Sequence, residues 1–206
     1  MRFNPNEIQE AIVSSIKEAN REYSRLTGNV EWITDRGVES FLAYFVGRKL
    51  KKLVGDSRGN VFIEVSMKEL KEHLKGRKII GRPGKHFFAG NRVDVVMTDK
   101  NFHVVGVVEL KRNDFISGWK RDIERVAAVV RRAGVKFGCF AVFLSEDEGS
   151  PCIQQSLDLV NGHARKVCKS SLVRIKLKRF KPFYSKSKRF DGVAWRYAIS
   201  LTMFTK

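Results

Sequence analysis

A chain of 206 residues, 43% of them hydrophobic, is long enough to bury one substantial core and short enough to be a single domain. Its 40 Lys and Arg against 22 Asp and Glu leave a formal net charge of +18, which draws polyanions and makes nucleic acid the expected partner. No stretch approaches the roughly 20 apolar residues that cross a bilayer, and MRFNPNEIQE has no signal-peptide run, so a cytoplasmic protein without membrane contact is expected.

In chain order, Ile8, Ile12, Ile16 and Tyr23 recur near helical spacing and predict an amphipathic helix over 6–26, ended by Gly28 and Asn29. A second helix is expected to start near Thr34 or Asp35, either of which can cap first-turn amides. Its stripe is Val38, Phe41, Leu42 and Phe45, and Glu39 falls on its first or second turn. VFIEV (61–65) alternates as a strand does, MKELKEHL reads as one or two helical turns, and GRKIIGRPGKHFFAGN, with four glycines, reads as loop or strand margin.

RVDVVM (92–97) and FHVVGVVELK (102–111) read as two strands joined by TDKN in a tight hairpin. Trp119, Ile123, Val126, Ala127 and Val130 predict a helix over 117–133, stopped by Gly134. It leads into the apolar run FGCFAVFL (137–144), the kind of buried strand that follows a crossover helix. EDEG turns the chain at 146–149, a helix continues through Val167, and two strands, LVRIKLKRF and AWRYAISLTMF, close the sequence. Cys139, Cys152 and Cys168 are odd in number and lack CxxC spacing, so they read as reduced, partly buried thiols rather than a disulfide or zinc framework.

The chemistry concentrates in the hairpin. Side chains of an extended chain alternate faces, so Glu109 and Lys111 project together while Val108 and Leu110 point the other way. If Asp99 pairs with Phe102, Asp94 stands opposite Val107 and diagonal to Glu109, at about 7–8 Å between backbones, so both carboxylates reach one ion. A slip of one residue would turn Asp94 to the other face. Two carboxylates, a backbone carbonyl such as that of Leu110, and a substrate phosphate suit Mg²⁺, with Mn²⁺ as the alternative ion. Lys111 can then orient an attacking water, and Glu39 can add a metal contact. These charges interrupt runs of valine, where charge is costly unless paired or metal-bound; the plainer alternative is an exposed ion pair on a strand.

Glu39 on a helix, Asp94 in RVDVV, and Glu109 with Lys111 in VVELK resemble, in that order, the PD-(D/E)xK nuclease superfamily. The resemblance covers about residues 30–145; Val93 replaces the motif's proline, and the QxxxY pattern of the RecB-like branch is absent. It implies an α/β restriction-endonuclease-like fold, a mixed β-sheet flanked by helices, here with a basic C-terminal β extension over about 150–206 in a single domain. It also implies Mg²⁺-dependent hydrolysis of phosphodiester bonds in DNA, with Asp94 and Glu109 as metal ligands and Lys111 as catalytic lysine.

From Leu159 to Phe190 there is no acidic residue. In LVRIKLK, Val173, Ile175 and Leu177 alternate with Arg174, Lys176 and Lys178, one face for the core and one row of cations for a phosphate backbone. Arg121, Arg125 and Arg132 share the side of the 117–133 helix away from its apolar stripe and suggest a second rail. Phe180, Phe183 and Tyr184 suit either base stacking or the core. The reading is therefore a DNA nuclease, an endonuclease in its simplest form, with a homodimer as an alternative to a monomer. The rivals are a non-catalytic nucleic-acid binder on the same fold and a basic RNA-binding protein.

Overall fold

The computed structural model describes residues 4–29, 31–74, 92–112, 116–147, 152–169, 174–188 and 194–206. The glycine-bearing stretch 76–91 lies outside them.

Helix α1 (Pro5–Leu26) is capped by Asn4, whose side chain accepts from the Asn6 amide, and its inward stripe is Ile8, Ala11, Ile12, Ser15, Ile16 and Ala19. Gly28 and Asn29, at φ 65° and 64°, turn the chain back, as their residue types allow. The next helix does not begin at Thr34 or Asp35 as expected. A single turn, α2 (Ile33–Arg36), comes first, and α3 (Glu39–Val54) starts at Glu39 with Val38 as an N-cap that makes no side-chain cap bond. Thr34 is instead buried, and its hydroxyl accepts from Ser145 Oγ at 2.7 Å.

The sheet has seven strands: β1 (Gly59–Ser66), β2 (Arg92–Asp99), β3 (Val104–Arg112), β4 (Phe137–Asp147), β5 (Lys176–Arg179), β6 (Phe183–Lys188) and β7 (Ala194–Thr205). Its order is β1-β2-β3-β4-β7-β5, with β6 also on β7. Among the described residues only β3 and β4 run parallel, because α5 (Ile116–Ala133) carries the chain across between them; the other described pairs are antiparallel. α4 (Met67–His73) follows β1 through a Ser66–Glu69 capping box, and α6 (Cys152–Lys169) precedes β5. Where two closing strands were expected there are three, and β4 continues to Asp147 through the start of the expected EDEG turn. The C-terminal region is no appendage, since β7 pairs with β4 over eleven positions.

Helices cover both faces. α4, α5 and α6 bury one core with Val96, Val107, Phe140 and Val142, while α1, α2 and α3 bury the other with Val95, Val108, Cys139, Ala141 and Phe143. β4 is therefore apolar on both sides, which explains its unbroken hydrophobic run. Among the described residues no helix is long and apolar enough to cross a membrane.

The β2–β3 hairpin departs from the expected register. Asp99 accepts from Phe102 and donates to the His103 carbonyl, so the turn is one residue looser than a tight 99–102 pairing. A bulge then intervenes: Thr98 pairs with Val104, but Met97 pairs with Gly106, which leaves Val105 as the extra residue. Beyond it Val95 faces Val108, and the same register sets Asp94 directly opposite Glu109, not Val107.

Candidate active site

Asp94 and Glu109 share the sheet face covered by α5. The register sets them directly opposite each other, and Asp94 Oδ2 accepts from the Leu110 amide at 2.6 Å. That amide would otherwise continue the β2–β3 ladder, so Asp94 marks where the two strands part. N–H and C=O of one extended residue point to the same neighbouring strand, so the Leu110 carbonyl opens toward Asp94 while its side chain is core on the opposite face.

Glu109 is 1% exposed, which removes the plainer alternative of a solvated surface pair. Its Oε1 receives both Arg125 Nη2 at 2.6 Å and Arg125 Nε at 2.8 Å. Arg125 also meets Asp122 at 2.7 Å, and Asp122 lies 3.6 Å from Lys111 Nζ. Lys111 in turn donates to Glu39 Oε2 at 2.6 Å, which brings the first residue of α3 to the sheet. One network thus runs Glu39, Lys111, Asp122, Arg125, Glu109, Asp94. It holds four carboxyls against two cations, a net of −2 when all are ionised.

The titration shifts follow from this packing. Burial drives Asp94 from 3.8 up to about 6, against the opposing pull of the Leu110 amide and the Lys111 charge. Burial likewise pushes Glu109 well above the usual carboxyl range, the Asp94 charge adds to it, and Arg125 offsets part. Burial would lower Lys111, but the hydrogen bond and charge of Glu39, helped by Asp94 and Asp122, hold it above its ordinary value. Two adjacent carboxyls raised together in a buried site mark a place that takes up either a proton or a cation.

Among the described residues, no group of three or more His, Cys, Asp or Glu converges as a ready metal cage. The reason is visible in the pairing, since Glu39 is drawn to Lys111 and one oxygen of Glu109 to Arg125. Asp94, the other Glu109 oxygen and the Leu110 carbonyl remain as a set of hard oxygens. That set fits Mg²⁺, which keeps several waters and needs few protein ligands.

Comparison with protein-family models, with curated proteins and with solved structures finds no match to this chain. What can be said of the site therefore rests on its own geometry.

Glu39, Asp94, Glu109 and Lys111, expected from sequence, meet in one place. Arg125 does not lie where it was expected. It is 5% exposed and faces Glu109, whereas Arg121, one turn earlier, is exposed and Arg132 is half-buried. At about 100° per residue the three were grouped within 40° on the helix, a difference that decides whether a side chain reaches the sheet. Asp122 escaped notice, although it lies about 60° from Trp119 on the flank of the apolar stripe, where a carboxylate is an anomaly that periodicity could have flagged.

Arg174, Lys176 and Lys178 are exposed on or beside β5 as expected, with Ile175 buried between them. They lie on or beside an edge strand three strands from β3, however, with Lys178 level with Val108 through Met203 and Cys139. Lys176 pairs with Thr205 and Thr205 with Phe137, which is level with Gly106, about five residues or 16 Å short of Lys111. Phe180 and Phe183 pack on the α1–α3 core, and only Tyr184 is exposed.

Proposed function

We propose that this protein is a metal-dependent nuclease of the restriction-endonuclease-like type that hydrolyses phosphodiester bonds in DNA, an endonuclease in its simplest form. The observation that carries the reading is the placing of Asp94 opposite the buried Glu109 beside Lys111, in a cluster whose ionised charge of −2 would be balanced by one divalent cation. Support comes also from the order of parts: Glu39 opening α3, Asp94 on β2, Glu109 and Lys111 at the end of β3, then α5 and the parallel strand β4. That is the order of the superfamily the sequence resembles.

Asp94, Glu109 and the Leu110 carbonyl would hold the ion, with Mn²⁺ as an alternative to Mg²⁺. Bound there, it would lower the pKa of a coordinated water and neutralise charge on the attacked phosphate. Lys111, kept protonated by Glu39, positions the attacking water and offers a positive charge to the phosphate in the transition state. Asp122 and Arg125 keep Lys111 and Glu109 in place, so that the reacting groups need little rearrangement.

The observation that favours the rival, a non-catalytic nucleic-acid binder, is that both cations of the cluster already have carboxylate partners. Incubation with supercoiled plasmid and Mg²⁺, with and without EDTA, separates the two. The nuclease reading expects nicked or linear plasmid from wild type and none from folded Asp94→Ala or Lys111→Ala. Equal binding without cutting of any DNA form by all three proteins establishes the rival; cutting of RNA alone establishes an RNA enzyme.

A further inference from the structure

A second concentration of charge lies around the rim of the sheet from Lys111. Between α1 and the β6–β7 pair, on the face covered by α1 and α3, a cavity of about 390 Å³ is lined by Lys17, Arg21, Arg25 and Lys186, with Trp32 and Tyr197 as its aromatic wall. No carboxylate is among its described lining residues. Lys17, Arg21 and Arg25 follow one another at four-residue intervals, which stacks three like charges along one side of α1, an arrangement that destabilises a helix by itself. Lys186 approaches from β6, directly across from a further cation, Arg196 on β7. Arg196 reaches Glu146 at 2.9 Å and Arg25 reaches Glu22 at 2.9 Å, the latter a solvent-exposed pair of the kind worth little. Lys17 lies against an aromatic ring, its ammonium 3.2 Å from the centroid of Phe183.

The spacing of these cations suits a chain of anions better than a single one. Residues four apart on a helix rise about 6 Å, so Lys17 to Arg25 spans about 12 Å in a row rather than converging on a point. The cavity lies beyond Lys111 in the direction in which β3 and β4 run. Tyr197 pairs with Ser145 on β4, three residues beyond Val142, the partner of Lys111. Two strand spacings across and three residues along place the Tyr197 backbone about 14 Å from that of Lys111 within the sheet, with the cavity and the two carboxyls on its opposite faces. Residues 32–39 join the two places without a break. Trp32 packs edge-on against Tyr197 at 5.5 Å, Thr34 holds Ser145 Oγ at 2.7 Å and takes Arg112 Nη1 on its carbonyl at 3.1 Å, and Glu39 meets Lys111 at 2.6 Å.

We propose that this cavity is a phosphate-binding subsite that holds the backbone of a DNA strand to one side of the bond positioned at Asp94 and Glu109. Its register to a scissile bond rests on the nuclease reading; its capacity to bind the strand does not.

The test is fluorescence anisotropy in EDTA with labelled single-stranded and duplex DNA oligomers, over a series of salt concentrations. Arg21 and Arg25 are both exposed, so the pair Arg21→Glu, Arg25→Glu should leave the fold intact, to be checked by circular dichroism. Lys49→Glu, Lys52→Glu on the exposed side of α3 makes the same charge change away from the cavity. The expected result is a loss of affinity of at least about tenfold for the cavity pair beyond that of the α3 pair. The slope of log K against log salt should become shallower by about 1.4–1.8, two phosphate contacts. Equal losses for the two pairs overturn the proposal, because they reduce it to net charge. An affinity of wild type for inorganic pyrophosphate matching that for the oligomers also overturns it, in favour of a small-anion site. Since binding is read without metal, a wild type that binds through the cavity but never cuts sinks the nuclease reading alone, and one that cuts but binds identically after substitution sinks the subsite alone.

Discussion

Asp94 stands opposite Glu109 because Val105 is an extra residue on β3. The hairpin turn sets Asp99 against His103, a register that, continued without interruption, would bring Asp94 to Val108 and leave Glu109 and Lys111 on the opposite face. The extra residue on β3 adds one step and turns Glu109 and Lys111 to the face of Asp94. A local irregularity in pairing thereby assembles the two carboxyls on which the functional reading depends.

That juxtaposition is unfavourable without a cation, which gives opposite signs for stability and activity. Asp94→Asn keeps an oxygen for the Leu110 amide but removes the buried repulsion with Glu109. In EDTA at pH 7 this variant is expected to be more stable than wild type by about 1–3 kcal/mol, from a shift of about two pKa units at about 1.4 kcal/mol each. Its Mg²⁺-dependent cleavage should fall at least about 10²-fold. A lower urea midpoint for the variant would show that the carboxylate is not strained in the folded protein.

The same shift fixes a pH dependence. Folded Asp94 titrates at about 6 against 3.8 for the ordinary side chain, so the folded state holds this proton more tightly. Its contribution to stability is complete below about pH 4 and is lost as pH rises through 6. The urea midpoint of metal-free wild type relative to Asp94→Asn should therefore fall between pH 4 and 7, and Mg²⁺ should restore it at pH 7. A difference that stays flat over that window, or rises, contradicts the assignment.

Arg125 neutralises a carboxyl that has no access to water. Truncating it to alanine leaves Glu109 buried beside Asp94 with its main counter-charge gone, an expected loss of about 3–5 kcal/mol. Adding Glu109→Leu to Arg125→Leu should recover most of this, because replacing both partners of a buried pair by apolar groups is often nearly neutral. Chemical denaturation of the single and double variants decides it; a cost below about 1 kcal/mol for Arg125→Ala would mean that Glu109 stays protonated and needs no partner.

Gly106 offers a prediction independent of function. It pairs with Phe137 across the parallel β3–β4 contact, and a methyl group added to it would overlap the Phe137 ring, which is itself buried. Gly106→Ala should cost about 1–3 kcal/mol through overpacking. Shortening the ring in Gly106→Ala, Phe137→Leu should return part of that loss, and an unchanged melting temperature in the single variant would refute the close approach.

Elements whose periodicity has one physical meaning were legible from residue order alone. Ile8, Ile12 and Ile16 announce α1, Trp119 to Val130 announce α5, and the unbroken FGCFAVFL requires a strand covered on both faces. That order also placed Glu109 and Lys111 on one side of a strand, because alternation is local geometry. What depends on pairing between distant segments became fixed only when the chain packed. The looser turn and the Val105 bulge set Asp94 against Glu109, and the late start of α3 at Glu39 lets its carboxylate meet Lys111, 72 residues on. A small difference in angle around α5 sends Arg125 inward while Arg121 stays exposed. Nor does composition distinguish the exposed cations of β5 from those of α1 and β6 gathered around one cavity, because charge counts carry no position until packing and strand register supply it.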